Sequence, residues 1–257
     1  MRTDEYERMY SAEDKHWWYT GLRAILEHDV RTATQKTQAA RVLDAGCGTG
    51  GDLHMLSRIS AAYGFDISNE ALAFTLKRGQ RNITRASIMH IPYKSETFHV
   101  VLTTDVLYHN WVPDDLAALR EIHRVLKPGG TIILHTAAFE FLRGSHDKVV
   151  LTRHRYTAPE LKKQLEATGF HITHMTYRNS LLAPVVLAHR LYSTIFNSRS
   201  EQSDVKLPSP KINRFLTWVL QLENKMVRKY RLPFGTSLYC TATKPMLKPG
   251  VDRVCPA

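Results

Sequence analysis

Between residues 41 and 136 the apolar positions come in short runs separated by stretches with helical spacing. RVLDAG, at 41–46, is a brief apolar run that ends in glycine. GDLHMLSRI then repeats its apolar residues at helical intervals, and AAYGFDIS reads as a second strand closing on Asp66. NEALAFTLKRG is a helix with Ser68 and Asn69 as caps and Gly79 as its stop. NITRASI, FHVVLTTDVL and TIILHTAA are further strands, and DDLAALREIHRVLKPGG is a helix closed by Pro-Gly-Gly. Strands and helices alternating at this spacing predict βαβ units, a parallel sheet and right-handed crossovers. A site is expected at the carboxyl ends of the strands.

The pattern changes after residue 150. APELKKQLEATGF is an amphipathic helix with a stop at Gly169, and HITHMTYRN is strand-like. LLAPVVLAHRLYSTIF is apolar and broken by Pro184. A polar loop, NSRSEQSDVKLPSPK, precedes a second helix, NRFLTWVLQLENKMVRKY, and FGTSLYCTATK reads as a last strand. Residues 181–232 therefore look like a helical insertion between two late strands. At the front, SAEDKHWWYTGLRAILEH as one helix puts Trp18, Leu22, Ile25 and Leu26 on one face.

A chain of 257 residues fits a single domain over 1–257: a cap at 1–40, a core at 41–136 and a substrate side at 137–257. The net charge of +11 raises nucleic acid and anionic membrane as partners, but the chain has no polybasic cluster, zinc spacing or aromatic RNA-binding motif. From 190 to 231 there are nine Lys and Arg against three Asp and Glu, so the excess gathers in the insertion. Neither a spanning run nor a signal peptide is expected. Cys47, Cys240 and Cys255 are too dispersed for a disulfide framework or a metal cluster, so no metal is expected and a reducing cytoplasm is the simple reading.

The sharpest motif is VLDAGCGTGG. Gly46, Gly48 and Gly50 lie between a strand and a helix, where glycine permits a tight turn and close approach to a ligand. Gly46, Gly48 and Gly51 also satisfy the dinucleotide pattern, and Asp66 stands where a carboxylate would take ribose hydroxyls in either case. Two acids argue against a pyrophosphate. Asp44 precedes the first glycine and would repel it, and Asp52 follows the loop where a phosphate site gains from cations.

DAGCGTGG, the acid of GFD and RVLKPGG together resemble a class I S-adenosylmethionine-dependent methyltransferase over about 41–136. DKHWWYTGLR, SHDKVVLTRHRYTAPEL and LPFGTSLYCTATK extend the likeness to methyltransferase-11/12-like enzymes with an HWWY-type front, across nearly the whole chain. The resemblance implies an α/β fold: a Rossmann-like, mostly parallel sheet with a late antiparallel strand, an N-terminal helical cap and a C-terminal helical insertion. It implies that Asp44, Gly46, Cys47, Gly48 and Gly50 hold the methionine part of S-adenosyl-L-methionine, and that Asp66 takes the ribose hydroxyls. Ile67 would lie on the adenine, Ser87 and Ile88 at its edge, and Asp105 toward the methionine end. Many relatives carry Asp at the Ser87 position. The front segment would close the cofactor groove, with Trp18 as a core anchor and Trp17 and Tyr19 flanking the sulfonium, whose charge favours an aromatic face. His16 is either a surface residue or a hydrogen-bonding group there.

A hydroxyl or protonated amine acceptor needs a base, and histidine suits neutral pH. His109 in DVLYH, and His146 with Asp147 in GSHD, stand after strands in useful places, with His146 the favoured base. Arg153 and Arg155 are read either as receivers of an anionic substrate or as loop solvation. The insertion is read as a lid over a hydrophobic molecule, as an interfacial helix pair facing anionic lipid, or as a dimer contact. The expected function is methyl transfer to O or N of a small molecule: a specialised metabolite, a sugar or a lipid-linked intermediate. Rivals are a cofactor-binding relative without turnover, a nucleic-acid methyltransferase and an NAD-dependent enzyme.

Overall fold

The computed structural model describes residues 3–188 and 207–246. The middle of the expected insertion, 189–206, and Cys255 lie outside these residues. Two helices, α1 (Thr3–Ala12) and α2 (Trp17–Thr34), lead into β1 (Arg41–Ala45), α3 (Gly51–Ser57), β2 (Ala61–Asp66), α4 (Asn69–Lys77) and β3 (Ile83–Arg85). Then follow β4 (Phe98–Thr104), α5 (Asp115–Val125), β5 (Leu126–Ala137), a short α6 (Ser145–Val149), α7 (Ala158–Ala167), β6 (His171–Arg178), α8 (Pro210–Val227) and β7 (Ser237–Thr243). Residues 183–188 are also helical.

The seven strands order β3-β2-β1-β4-β5-β7-β6, and β7 alone runs antiparallel to its neighbours. The continuous apolar runs of the central strands follow from burial on both faces. Leu43, Val101 and Ile132 join one core with Leu119, Ile122, Leu161 and Leu165. Their neighbours Val42, Val100 and Ile133 join the other with Leu22, Ile25, Leu26 and Leu56. Successive strand side chains point to opposite faces, so one sequence run feeds both layers. β2 pairs with one side of β1 and β4 with the other. Strand order reverses there, opening a crevice at the carboxyl ends.

The front segment departs from the expected single helix. It breaks after Ala12, and His16 caps α2, its Nδ1 accepting the Trp18 N–H at 3.3 Å. A capping side chain satisfies a backbone donor that a helix start leaves free, which favours a new helix over continuation. Helix α2 meets α8 so closely that a Cβ at Gly21 would lie 2.5 Å from Leu220 Cδ1, and Asn224 Nδ2 donates to Gly21 O at 2.7 Å. At the far end of the sheet, Arg178 of β6 is paired in register with Ser237 of β7.

Candidate active site

The glycine loop sits at the strand-order reversal. Gly46, Gly48 and Gly50 all have positive φ, of 90°, 52° and 84°. A Cβ at Gly46 would lie 2.4 Å from Val106 Cγ2. The amides of Gly46 and Cys47 donate to Phe65 O, which pins the loop to the end of β2. Asp66 then accepts from Gly48 N–H through Oδ2 and from Ser68 N–H through Oδ1, both at 2.9 Å. Burial raises the Asp66 carboxyl against these donors, which lower it. A carboxylate has room for further donors, so its outer lone pairs suit a vicinal diol.

Asp44, at the end of β1, is buried and its Oδ2 has no hydrogen-bond partner among the described residues. Its carboxyl is held well above the usual range by burial first, then by the negative fields of Asp52, Asp66 and Glu13. A buried carboxylate without a partner is costly, and a cationic ligand group would relieve the cost.

The cap is clamped to this loop by ion pairs that the sequence pattern did not reveal. Arg78 Nη2 meets Glu13 Oε1 and Arg78 Nη1 meets Asp14 Oδ2, each at 2.8 Å, while Arg78 Nε donates to Thr49 O at 2.9 Å. Thr49 Oγ1 donates to Glu13, and Arg23 Nε joins Asp52 Oδ1 at 3.0 Å. Asp52 thus serves the clamp. On α1, Tyr6 hydrogen-bonds Ser68, with its phenol raised to about 12 chiefly by burial. Arg78 also stacks over the Tyr10 ring.

Asp105 follows β4 with a φ of 58°, and its carboxylate oxygens both lie 3.2 Å from Nδ1 of His135 on β5. His135 is fully buried beneath Trp18, whose ring meets it edge-on at 5.8 Å, while the Asp105 side chain is 21% exposed. Tyr19 packs edge-on against Trp18 at 4.9 Å, and burial and then the charges of Glu13 and Asp105 raise its phenol. Trp17 is half-buried, and its backbone N–H donates to Asn213 Oδ1 at 2.9 Å. Tyr19, Trp18, Asp105 and His135 therefore stand together where the cap meets the strand ends, while the contacts of Trp17 are with His16 and with Asn213 of α8.

The remaining candidates are placed as follows. Ser87 accepts the Met89 N–H, Ile88 is packed in the core and Ile67 O accepts from Arg85. His109 is stacked on Tyr108 with its ring pushed down to about 3 by burial, so it is a weak proton acceptor at neutral pH. His146, on α6, is half-buried and its Nδ1 has no partner among the described residues. Asp147 accepts from Gly144 N–H at 2.6 Å and from Arg155 Nε at 2.8 Å. Burial raises its carboxyl, but these donors outweigh that and hold it below the usual range. Arg153 pairs with Asp115, so both arginines of the RHRYT stretch are committed to carboxylates of this chain. Beyond β5, Phe139 stacks between Tyr177 at 4.7 Å and Phe234 at 5.1 Å. Among the described residues no three His, Cys, Asp or Glu side chains are placed to hold a metal ion, and no helix is long and apolar enough to cross a membrane.

Residues 43–134 match the family model described as a methyltransferase domain. A ubiquinone biosynthesis O-methyltransferase of Xanthomonas campestris is 34% identical over 145 residues, covering 49% of this chain and 58% of the relative. The chain spans between 28% and 58% of the first curated relatives it matches. Among solved structures, the [4+2]-cyclase SpnF superposes with a TM-score of 0.55 at 22% identity, over 86% of this chain and 80% of that one. Phosphoethanolamine N-methyltransferase 2 of Haemonchus contortus, in complex with S-adenosyl-L-methionine, gives 0.54 at 18% identity, over 85% and 52%. These structural likenesses bear on the fold.

Proposed function

We propose that this chain, whose residues 43–134 belong to the methyltransferase domain family, transfers a methyl group from S-adenosyl-L-methionine to an oxygen or nitrogen of a small organic molecule. The observation that carries the reading is the buried carboxylate of Asp44 beneath the glycine loop, whose Oδ2 has no partner among the described residues. It suits the cofactor's ammonium and would repel a pyrophosphate. Asp66 takes the ribose hydroxyls, and the loop amides and Cys47 border the methionine part.

When bound, the cofactor supplies an electrophilic methyl group on a sulfonium. The chain's part is to hold the acceptor in line and remove its proton. Trp17 and Tyr19 wall the cap side. Asp105, oriented by His135, is a carboxylate suited to accepting a proton or holding an amine. His146 keeps its candidacy as base through its Nδ1, which has no partner among the described residues. The burial that lowers the basicity of His109, and the pairing of Asp147 with Arg155, favour loop-ordering roles for these two instead. The Tyr177–Phe139–Phe234 stack supports an acceptor with an apolar or aromatic body, in keeping with the quinone named for the Xanthomonas relative.

Two measurements test the reading. Titration with S-adenosylhomocysteine is expected to show binding that Asp66→Ala weakens strongly. Methyl-labelled cofactor added to host extract is expected to deliver label to an organic-soluble product. Binding without transfer would favour a relative that uses the fold for other chemistry, as the cyclase does.

A further inference from the structure

We propose that the outward face of α8 docks the protein onto an anionic lipid surface. The helix buries Leu220, Glu223, Asn224 and Val227 against the domain. Its opposite face carries Phe215, Trp218 and Leu222, one helical stripe with exposures of 59%, 58% and 42%. Ile212 continues the apolar surface one turn earlier. Lys211, Arg214 and Lys225 are exposed on the same side, and none of them forms an ion pair among the described residues.

The helix has one acid, Glu223, and it is turned inward. Its carboxylate oxygens accept the N–H groups of Asn179 at 2.6 Å and Leu181 at 3.0 Å. The outer face is therefore aromatic, aliphatic and cationic, without an anion. Beyond the helix Arg228, Lys229, Tyr230 and Arg231 are exposed as well. An open groove of about 560 Å³ runs from this face to the start of α2, with Lys15 and Arg214 beside Trp218.

This combination decides the occupant. Apolar side chains that enter the headgroup boundary, flanked by cations that meet lipid phosphates, are what an interfacial helix needs. A second copy of the same face, brought up by a two-fold axis, would set lysines and arginines against each other. A nucleic acid would use the cations but leave Ile212, Phe215 and Leu222 without apolar contact. The basic and apolar residues fit one partner together only when that partner has an anionic surface over a hydrocarbon interior.

The test is co-sedimentation of the whole chain with phosphatidylcholine vesicles, alone or containing about one third phosphatidylglycerol. Sedimentation with the anionic vesicles only, reversed by salt, is expected. Brominated acyl chains should quench the tryptophan fluorescence of the native chain but leave Trp218→Phe nearly unquenched. The double variant Phe215→Gln/Trp218→Gln should lower partitioning at least about tenfold, and Lys211→Glu/Lys225→Glu by a similar factor. Both variants should keep their affinity for S-adenosylhomocysteine, which shows that they fold. Absence of sedimentation, equal binding to both vesicle types, or RNA capture in place of vesicle binding would each overturn the proposal. So would a solution dimer that the Gln variant turns into monomer. None of these outcomes touches the methyl-transfer reading, which rests on cofactor binding and label transfer.

Discussion

Asp105 and His135 stand 30 residues apart in the chain, yet the carboxylate of one holds the imidazole of the other by Nδ1, 3.2 Å from each oxygen. The pairing follows from the parallel register of β4 and β5, which sets Thr104 opposite His135 and leaves Asp105 just beyond the last rung. The histidine is buried and the carboxylate is partly exposed, so under the proposed reading the histidine would act only through the aspartate.

Asp105→Asn is expected to reduce label transfer by about a hundredfold, the size of a lost proton acceptor, and to leave S-adenosylhomocysteine affinity within a few-fold. His135→Gln, which keeps a hydrogen-bonding group at that place, should retain far more activity than His135→Leu and should shift the pH profile of transfer. Equal losses of binding and turnover in all three would assign the pair to folding alone.

Asp44 gives a prediction with a definite sign. Its folded carboxyl is raised, so the folded state binds the proton more tightly than the unfolded chain does. Its contribution to stability is therefore most favourable at low pH and declines as pH rises from the unfolded value toward the folded one. Asp44→Asn removes that penalty. The ligand-free variant should melt higher at pH 8, by roughly 2–4 °C for each kcal/mol relieved. It should at the same time lose most of the thermal shift produced by the cofactor. A variant that melts lower and still gains the full shift would contradict the assignment.

The clamp predicts a coupling between the chain's front and the glycine loop. Arg78→Ala leaves Glu13 buried without its closest cation and frees Thr49 O. A cost of about 3–5 kcal/mol in denaturant unfolding is expected for breaking a buried pair from one side. Faster proteolysis within α1 and weaker S-adenosylhomocysteine binding should accompany it. Arg31→Ala, which breaks an exposed pair on α2, should cost under about 1 kcal/mol and serves as the comparison.

Gly46 predicts a partial rescue. Gly46→Ala meets both Val106 and a φ of 90°. Adding Val106→Ala removes the clash but not the backbone strain, which is of order 1–3 kcal/mol. The double variant should therefore recover part of the lost cofactor affinity in a binding titration, and full recovery would place the whole cost in the side-chain contact.

The parts of this molecule legible in the sequence are those set by local pattern. Val42 and Leu43, or Ile132 and Ile133, announce a sheet buried on both faces, and VLDAGCGTGG announces the turn at its edge. Ser68 as a helix cap was readable because capping uses residues three apart. The break at His16 was not, because the apolar stripe from Trp18 onward looks the same whether or not the helix starts earlier. Contacts made by distant segments were equally hidden. Arg78 with Glu13 and Arg23 with Asp52 depend on how the cap lies over the loop, which no period in the sequence records. His135 lies within an apolar run, TIILHTAA, whose pattern gives no sign of a partner at Asp105. Arg153 and Arg155 looked free until folding brought Asp115 and Asp147 to them.

Arg178 and Ser237, where the chain departs from β6 and re-enters β7, are neighbours across one pair of strands. The chain between them leaves and rejoins the sheet at one rung, and within it α8 is fastened to α2 through Leu220 and Asn224. The length of this stretch can change at little entropic cost to the rest, because the two attachment points are already together. The stretch is thus a natural splice site. A chimera that exchanges 179–236, with the facing residues of α2, for those of a relative would keep the glycine loop, Asp44 and Asp66 and, under the reading proposed above, receive a different acceptor side. Any change of length in that stretch must therefore preserve two things only, the Arg178–Ser237 rung and the seat of α8 on Gly21.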